Sequence, residues 1–353
     1  MHKNKVLLFA QNGIGGAERM TIFIGKNLEK SQYDICYCLI TKSTGSLLND
    51  FIPSGNRIRN ISSKNIVFLL LSMWWVLLVE KPQYVFSSVI NISNKLLLLK
   101  PLFKKIKFII RCDNYMYTYT EKQRNMIRKL YPRADAIIAQ TEEMGNELIE
   151  CADIPYDIIK VLHNPIDKDL IDQKTCNTNS PYPNNGKRHI VAVGRFAHQK
   201  GFDLLVEAFI NLNKKRNDIE LYIIGETRVE NGNVAECVKR KSEEANVSNL
   251  VHLCGYKSNP YPYIKYADSF VLSSRWEGLP NVLIEALYLG TPVAAFKCIP
   301  IVERIVCEGL DGFLAEKEDV NSLAVAMNES LELGRVVSSY KSSDIKDFIK
   351  VFV

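Results

Sequence analysis

The sequence lacks an apolar stretch long enough to cross a bilayer. One uncharged segment, Ile66 to Val79, has fourteen residues, whereas a membrane-spanning helix needs about 20. We expect it to form a helix buried between a sheet and its neighbours, and a helix lying in the membrane interface is the alternative. A second stretch, Lys95 to Arg111, interleaves leucines with lysines. For that stretch a membrane-facing role and a plain solvated face both stay open.

Paired cysteines and a secretion leader are also missing. The nine cysteines include no Cys-x-x-Cys pair, so they are expected to be reduced residues of a cytosolic protein. The first residues do not form a charged-then-apolar leader. We therefore expect a cytoplasmic protein, with peripheral attachment to the inner face of the cell membrane as a further expectation.

Charge is present in an ordinary amount but is unevenly placed. Residues 1–150 contain 21 Lys and Arg against 12 Asp and Glu, and the remaining residues contain 24 against 27. The first part is thus net positive and the second net negative. A basic first part suits an anionic partner such as a membrane surface. No nucleic-acid-binding motif accompanies it, so no nucleic-acid partner is expected.

The order of apolar segments predicts an α/β protein with two domains. A chain of 353 residues can form two cores, and strand-like segments alternate with helical ones twice, the pattern of parallel sheets covered by helices on both faces. The predicted domains are residues 1–170 and 188–335. Residues 171–187 are polar and rich in Pro and Asn, which favours a linker. For residues 336–353, a segment that crosses back to the first domain is expected.

Two cations follow the first strand of the second domain. Residues 193–201 read Val-Gly-Arg-Phe-Ala-His-Gln-Lys-Gly, a strand end followed by a turn that contains Arg195 and Lys200. Open α/β sheets bind ligands at the carboxyl ends of their strands. An Arg there binds a diphosphate through a bidentate fork, and a Lys binds it as a point charge. Taken alone, the same spacing is equally typical of a surface turn.

A second element combines two glutamates with the start of a helix. Glu277 lies in the loop after a strand, Pro280 is expected to begin a helix, and Glu285 lies about one and a half turns along it. The free amides at such a helix start form an anion site suited to a diphosphate. Glu277 is then placed beside a sugar, and Glu285 is placed where a carboxylate can bind ribose hydroxyls.

These motifs, a glycine-rich loop at residues 12–19 and the segment Gly309 to Leu314 together resemble the retaining glycosyltransferases of family 4. The resemblance covers nearly the whole chain and implies the GT-B fold, two facing Rossmann-like domains with parallel sheets. The implied enzyme is a retaining, metal-independent hexosyltransferase. It implies a nucleotide diphosphate sugar as donor, with a UDP-sugar favoured. The implied acceptor is a glycan or lipid-linked saccharide in the assembly of a surface polysaccharide such as lipopolysaccharide or capsule.

The resemblance also implies roles for individual residues. Arg195 and Lys200 would hold the donor diphosphate, Glu277 the hydroxyls of the transferred sugar, and Glu285 the ribose. The remaining contacts to the nucleotide sugar are implied for Gly194, Gly278 and Leu279 at the phosphates, Gly255 and Tyr256 at the base, and Gly15 and Gly16 in the glycine-rich loop. In that loop the missing side chains would let the backbone approach the donor, and a simple strand-to-helix turn is the alternative.

The sequence departs from the family on the acceptor side. Relatives often have a His after the corresponding strand of the first domain, but residues 110–115 read Ile-Arg-Cys-Asp-Asn-Tyr. Asp113 or Asn114 would orient the acceptor hydroxyl, and Asp113 would take its proton. An ordinary turn is an equally good interpretation. His163 is expected to be structural, and His198 to fill a loop.

No cofactor and no bound metal are expected. The only Asp-x-Asp, Asp167 to Asp169, precedes the linker and follows no strand of the donor domain, so we interpret it as a solvated turn. Cationic side chains would stabilise the departing nucleoside diphosphate instead. Other functions stay open: a nucleotide-sugar epimerase or phosphorylase of the same fold, and a non-catalytic GT-B scaffold subunit.

Overall fold

A computed structural model of the chain describes residues 3–11, 13, 15–41, 52–62, 65–227 and 233–353. The chain divides into two compact units. The first comprises Met1–Pro165 and Ser342–Val353, and the second comprises Ile166–Lys341. Each unit is a parallel sheet with helices, which confirms the predicted α/β class.

The described residues of the first unit form seven strands. The strands are β1 (Lys5–Gln11), β2 (Asp34–Thr41), β3 (Arg57–Ser62), β4 (Tyr84–Ser87), β5 (Lys107–Arg111), β6 (Ala136–Ala139) and β7 (Ile159–Val161). The helices between them are α1 (Gly16–Lys30), α2 (Ile66–Glu80), α3 (Ile90–Leu99), α4 (Glu121–Leu130) and α5 (Glu142–Ala152). All strands are parallel, in the order β3-β2-β1-β4-β5-β6-β7.

Strand β1, in the interior of this sheet, has the sequence expected of a strand covered on both faces. Residues Val6 to Ala10 are all buried and apolar, as in parallel sheets with helices on both sides. The edge strand β3 differs, because Arg57, Arg59 and Asn60 are exposed. Its polar sequence, Arg-Ile-Arg-Asn-Ile-Ser, gives no continuous apolar run, and the sequence analysis therefore missed it.

The expectation that Ile66 to Val79 form a helix buried between the sheet and its neighbours is wrong for one side of α2. Leu69, Met73 and Leu77 form its buried side. The opposite side is equally apolar but exposed, and Trp75 retains 61% of its accessible surface. A helix that is apolar all round does not reveal from its sequence which side meets the protein. No helix among the described residues is long and apolar enough to cross a membrane.

Outside residues 228–232, the second unit forms six strands. In chain order its elements are α6 (Lys168–Thr175), β8 (Arg188–Val193), α7 (Phe202–Asn213), β9 (Ile219–Ile224), α8 (Val234–Glu244), β10 (Val251–Gly255), α9 (Tyr261–Tyr266), β11 (Ser269–Leu272), α10 (Asn281–Tyr288), β12 (Val293–Phe296), α11 (Pro300–Ile305), β13 (Gly312–Ala315) and α12 (Val320–Ser330). The strands are again parallel, in the order β10-β9-β8-β11-β12-β13.

The segment interpreted as a linker begins inside a helix. The division between the units falls after Pro165, and α6 covers the first part of residues 171–187. Asp167 caps this helix, since its carboxylate accepts a hydrogen bond of 3.1 Å from the Leu170 amide. The Asp-x-Asp sequence thus includes a helix cap, where the sequence analysis expected only a solvated turn.

The last residues of the chain belong to the first unit. Helix α13 (Ile345–Lys350) contacts α1. Phe348 and Phe352 are fully buried in the core that contains β1 and β2. The Tyr33 hydroxyl donates a hydrogen bond of 2.8 Å to the Phe352 carbonyl, so the end of the chain is tied to the first unit by both packing and a hydrogen bond.

Candidate functional site

The candidate donor site lies where the strand order of the second sheet reverses. Strand β8 lies between β9 and β11. From β8 the chain adds β9 and β10 on one side, and it then adds β11, β12 and β13 on the other. In open parallel sheets this reversal opens a crevice at the carboxyl ends of the strands, where ligands bind. The loops after β8 and β11 are residues 194–201 and 273–280, the two segments that the sequence analysis selected.

An ion pair joins these two loops. The Lys200 ammonium lies 2.5 Å from Glu277 Oε1, and the Ser274 hydroxyl donates a hydrogen bond of 2.6 Å to the same oxygen. Glu277 is only 6% exposed. The other carboxylate oxygen, Oε2, makes no hydrogen bond with the described residues. A buried carboxylate held through one oxygen presents the other to a ligand.

The backbone around Lys200 requires glycine. Gly201 has a φ of 62°, and a Cβ at this position would lie 2.0 Å from the Ser273 carbonyl oxygen. Both the left-handed conformation and the close approach exclude a side chain. The Ser273 hydroxyl also donates a hydrogen bond of 2.9 Å to the Lys200 carbonyl. The two loops are therefore in direct backbone contact behind the ion pair.

Arg275, in the loop after β11, is bonded to the segment after β8. The sequence analysis did not identify this residue. Its guanidinium forms two hydrogen bonds with Asp203, of 2.9 and 2.6 Å, and a third, of 2.8 Å, with the His198 carbonyl. We assign Arg275 a structural role and not a ligand contact, because its guanidinium is already hydrogen-bonded within the protein. The sequence around Arg275 does not predict this role, because the role depends on where Asp203 lies in the fold.

The remaining predicted donor residues lie at the ends of β8 and β10 and on α10. Arg195 is exposed, and its side chain forms no ion pair within the described part of the chain. Glu285 is half-buried on α10 and accepts a hydrogen bond of 3.4 Å from the Tyr261 hydroxyl. Gly255 (φ 66°) and Tyr256 are exposed at the end of β10. Gly194 follows β8, and its amide is bonded to the Ile224 carbonyl at 2.9 Å.

The start of α10 closes the site on the β11 side. Gly278 and Leu279 are buried immediately before the helix. Pro280 caps α10 and the helix proper begins at Asn281, one residue later than expected. The Pro280 carbonyl accepts the Leu283 amide at 3.0 Å. No side chain caps the helix. Of its first four amides, that of Val282 makes no hydrogen bond with the described residues, so the helix start is a candidate anion contact.

A buried thiol adjoins the donor site without a predicted role. Cys298 follows β12 and is 4% exposed. Burial, together with the nearby charge of Glu277, raises the pKa of this thiol to about 12. A thiol that stays protonated is not a nucleophile, so Cys298 acts as an apolar wall beside Glu277.

In the first unit the glycine-rich loop lies at the carboxyl end of β1. Gly15 caps α1 with an extended backbone, and Gly16 is the first residue of that helix. Asn12 and Ile14 of the same loop lie outside the described residues. The loop after β4 adjoins this helix, because the hydroxyls of Thr21 and Ser88 are hydrogen-bonded at 2.9 Å. Strands β1 and β4 mark the reversal of strand order in the first sheet.

Asp113 lies at the carboxyl end of β5. The Tyr119 hydroxyl donates a hydrogen bond of 2.6 Å to its Oδ1. Burial raises the pKa of Asp113, although the Tyr119 hydrogen bond and the Arg111 charge act in the opposite direction. A carboxylate with a raised pKa is suited to accept a proton.

A buried arginine supports this strand end and was not predicted. One Arg111 nitrogen donates hydrogen bonds to the side chains of Gln140 (2.7 Å) and Asn164 (2.5 Å). These residues follow β6 and β7, so the network ties three neighbouring strand ends together. Burial lowers the pKa of Arg111 to about 10, which leaves it charged at neutral pH.

The other candidate residues take no position that suggests metal binding. His198 is exposed, and its ring lies 6.0 Å from that of Trp276. Within the described ranges, no group of three or more His, Cys, Asp or Glu side chains is arranged to hold a metal. The expectation that the reaction needs no metal stays a prediction.

The two parallel-sheet units, each with a reversal of strand order, agree with the GT-B glycosyltransferase fold predicted from the sequence. The Glycosyltransferase Family 4 model matches residues 14–170, and the Glycosyl transferases group 1 model matches residues 176–344. Together they span nearly the whole chain. The chain therefore belongs to the family 4 glycosyltransferases, and the resemblance inferred from the sequence is confirmed.

Individual proteins agree with this assignment. An uncharacterized glycosyltransferase of Methanocaldococcus jannaschii is 31% identical over 61% of this chain, and the match spans only 55% of that protein. The Campylobacter jejuni N-acetylgalactosamine-N,N'-diacetylbacillosaminyl-diphospho-undecaprenol 4-alpha-N-acetylgalactosaminyltransferase is 26% identical over 72% of this chain and 68% of its own length. Anabaena HepE, solved in complex with UDP and glucose, has a TM-score of 0.79 at 16% identity over 93% of this chain and 90% of that chain.

Proposed function

We propose that the chain transfers a sugar from a UDP-sugar to a lipid-linked or glycan acceptor in surface polysaccharide assembly. One observation carries the proposal: Lys200, the buried carboxylate of Glu277 and the uncapped start of α10 meet at the strand reversal of the second sheet. A nucleotide sugar presents the matching chemistry, a diphosphate next to sugar hydroxyls. Anabaena HepE, which has the same fold, binds UDP and glucose and supports the choice of donor.

Positive charge in this site is proposed to stabilise the departing nucleoside diphosphate. Arg195 is exposed and without an ion pair to any described residue, so its guanidinium can bind the diphosphate through two hydrogen bonds. Lys200 and the positive end of α10 would add charge beside it. Each such group is worth roughly 3 kcal/mol in the transition state. On this basis we propose a reaction that proceeds without a metal ion.

The two glutamates are proposed to bind different parts of the donor. Glu277 would use Oε2 to accept a hydroxyl of the transferred sugar, while Lys200 and Ser274 hold Oε1. Glu285 would accept ribose hydroxyls, beside Tyr261. Gly255 and Tyr256 would adjoin the base. These roles, and retention of configuration at the anomeric carbon, rest on the family resemblance.

The acceptor is proposed to bind in the first unit. Asp113 would accept the proton of the acceptor hydroxyl, since its pKa is raised by burial. The C. jejuni relative acts on a diphospho-undecaprenol-linked saccharide, as its name states, which supports a lipid-linked acceptor here. An acceptor of that kind is held in a membrane, and we propose that the enzyme works attached to the membrane surface.

The test is transfer in the presence of a chelator. Purified protein is incubated with UDP-glucose, UDP-galactose and their N-acetyl forms, with undecaprenyl-diphosphate-linked saccharides as acceptors and excess EDTA. We expect a glycosylated lipid product from one donor, and NMR of the new linkage to show the donor's anomeric configuration. Activity that EDTA abolishes would contradict the metal-free mechanism. Conversion of the donor without acceptor would identify an epimerase instead.

A further inference from the structure

Helix α2 presents an apolar face to solvent. Seven of the 17 exposed large hydrophobic side chains among the described residues belong to this one helix: Ile66, Val67, Phe68, Leu71, Trp75, Leu78 and Val79. Six of them, from Val67 to Val79, recur at the helical spacing of three to four residues and form one continuous stripe. Ile66 is in line with the buried side and is exposed because it begins the helix. Exposed apolar residues scattered singly are ordinary, whereas a contiguous patch marks an interaction site.

The opposite side of α2 is anchored to the first unit. Leu69, Met73 and Leu77 are buried. At its last residue, Glu80 is 5% exposed and its carboxylate lies 2.7 Å from Arg59 Nη2 on β3 and 3.3 Å from Lys5 Nζ on β1. The exposed stripe is therefore the outer surface of a fixed element. A partner must come to it, because the helix cannot turn this face inward without breaking these contacts.

The chain segment that contains the stripe is basic. Residues 65–112 contain seven Lys and Arg and a single acid, Glu80. Lys81 follows α2 directly, and Lys104 and Lys105 follow α3, which packs against α2. All three lysines are exposed and form no ion pair with any residue that the structure describes. Leu98 and Leu102, near the end of α3, are exposed as well.

We propose that the apolar face of α2 inserts into the surface of an anionic membrane, with Lys81, Lys104 and Lys105 contacting lipid headgroups. A helix of 15 residues is about 22 Å long and lies in the plane of the interface, with its apolar side among the acyl chains. Trp75 lies in the middle of the stripe, and Trp is favoured at membrane interfaces. A second copy of the chain is a poorer partner, since a symmetric contact would bring the lysines of both copies together.

The inference rests on the proposed attachment to a membrane and names the face that makes it. Vesicle binding of the full chain tests it, using phosphatidylcholine alone and phosphatidylcholine with about 30% phosphatidylglycerol, at low salt. Phe68→Ser/Leu71→Ser/Trp75→Ser removes the centre of the stripe. The matched control, Leu310→Ser/Val325→Ser/Val337→Ser, changes three apolar residues of the second unit that are each more than half exposed, like those on α2.

The wild type and the control are expected to bind the anionic vesicles equally, and the α2 variant at least tenfold more weakly. Lys104→Gln/Lys105→Gln is expected to weaken binding to anionic vesicles roughly 25-fold, since each lysine near such a surface contributes about fivefold (about 1 kcal/mol). Unchanged unfolding midpoints and UDP affinities exclude misfolding as the cause. Binding of the α2 variant at wild-type strength would overturn the assignment of this face but not the proposed attachment to a membrane.

Tryptophan fluorescence supplies an independent readout. Trp75 is exposed and Trp74 only partly so. We expect brominated lipids to quench the fluorescence of the wild type and of Trp74→Phe, and to quench Trp75→Phe much less. Failure of the wild type to bind either vesicle would overturn both the proposed membrane attachment and this inference. The donor site would be unaffected, because UDP binding tests it separately. A dimer in sedimentation that the α2 substitutions dissociate, without vesicle binding, would assign the face to a second copy.

Discussion

Separating Lys200 from Glu277 should destabilise the second unit more than a surface ion pair would. Their side chains are only 17% and 8% exposed, and the pair joins the loops after β8 and β11. Removing one partner of a buried pair costs about 3–5 kcal/mol, whereas an exposed pair contributes about 0–1 kcal/mol. Because some water reaches Lys200, we expect Lys200→Met and Glu277→Gln each to lower the free energy of unfolding by about 2–3 kcal/mol.

A double-mutant cycle isolates the interaction. The double variant should lose less stability than the two single variants combined, with a coupling of about 2 kcal/mol. The control cycle uses Lys297→Met and Glu316→Gln. That Lys–Glu pair of the same unit is 2.7 Å long with side chains 30% and 68% exposed, and its coupling should stay below about 1 kcal/mol.

The assay can follow the second unit alone. The chain has three tryptophans, at positions 74, 75 and 276, and only Trp276 lies in the second unit. In a Trp74→Phe/Trp75→Phe background, tryptophan fluorescence during urea unfolding reports that unit. A coupling for Lys200 and Glu277 no larger than that of the control pair would refute the claim that the pair holds the two loops together.

Three further predictions concern the scaffold around the sites. Gly201→Ala should destabilise the second unit by about 3 kcal/mol and weaken UDP binding, whereas Gly334→Ala, at φ 70° with no atom near its Cβ, should cost only about 1–2 kcal/mol; equal effects in urea unfolding would contradict the proposed crowding at Ser273. Burial lowers the pKa of His189 in the folded state, so the unfolded chain binds the proton first and stability should fall as the pH drops below about 6.5. The His189→Phe variant should show a flatter dependence between pH 8 and 5.5, and an unchanged slope would exclude His189 as the cause. Phe352→Ala should lower the stability of the first unit by about 3–5 kcal/mol without moving the Trp276 transition, and a shift of that transition would contradict the assignment of the C-terminal segment to the first unit.

Much of the fold is predictable because parallel strands covered on both faces are continuous apolar runs. Strands β1, β8 and β12 are recognisable in the sequence for that reason. Strand β3 is not, since it lies at the sheet edge and carries arginines that pair with acids elsewhere, such as Arg57 with Asp34. Helix α6 was overlooked because its eight residues are mostly polar and lie next to a Pro- and Asn-rich segment.

The sequence predicted those residues of the candidate donor site that lie close together in the chain. Arg195, Lys200, Glu277 and Glu285 stand in two short stretches, and parallel topology brings strand ends to one edge. The partners that hold them come from elsewhere in the chain, as Asp203 does for Arg275. The sequence also left open which side of α2 is covered, because that depends on Glu80 finding its basic partners on β1 and β3.

The central claim is that the second unit binds a nucleoside diphosphate at the strand reversal. Calorimetric titration of UDP into the wild type, Glu285→Gln and the exposed control Glu329→Gln tests it most directly. We predict that the wild type and the control bind UDP with the same affinity and that Glu285→Gln binds at least tenfold more weakly, a loss of about 1.4 kcal/mol or more. Equal affinity in all three proteins, or no binding of UDP by the wild type, would contradict the account.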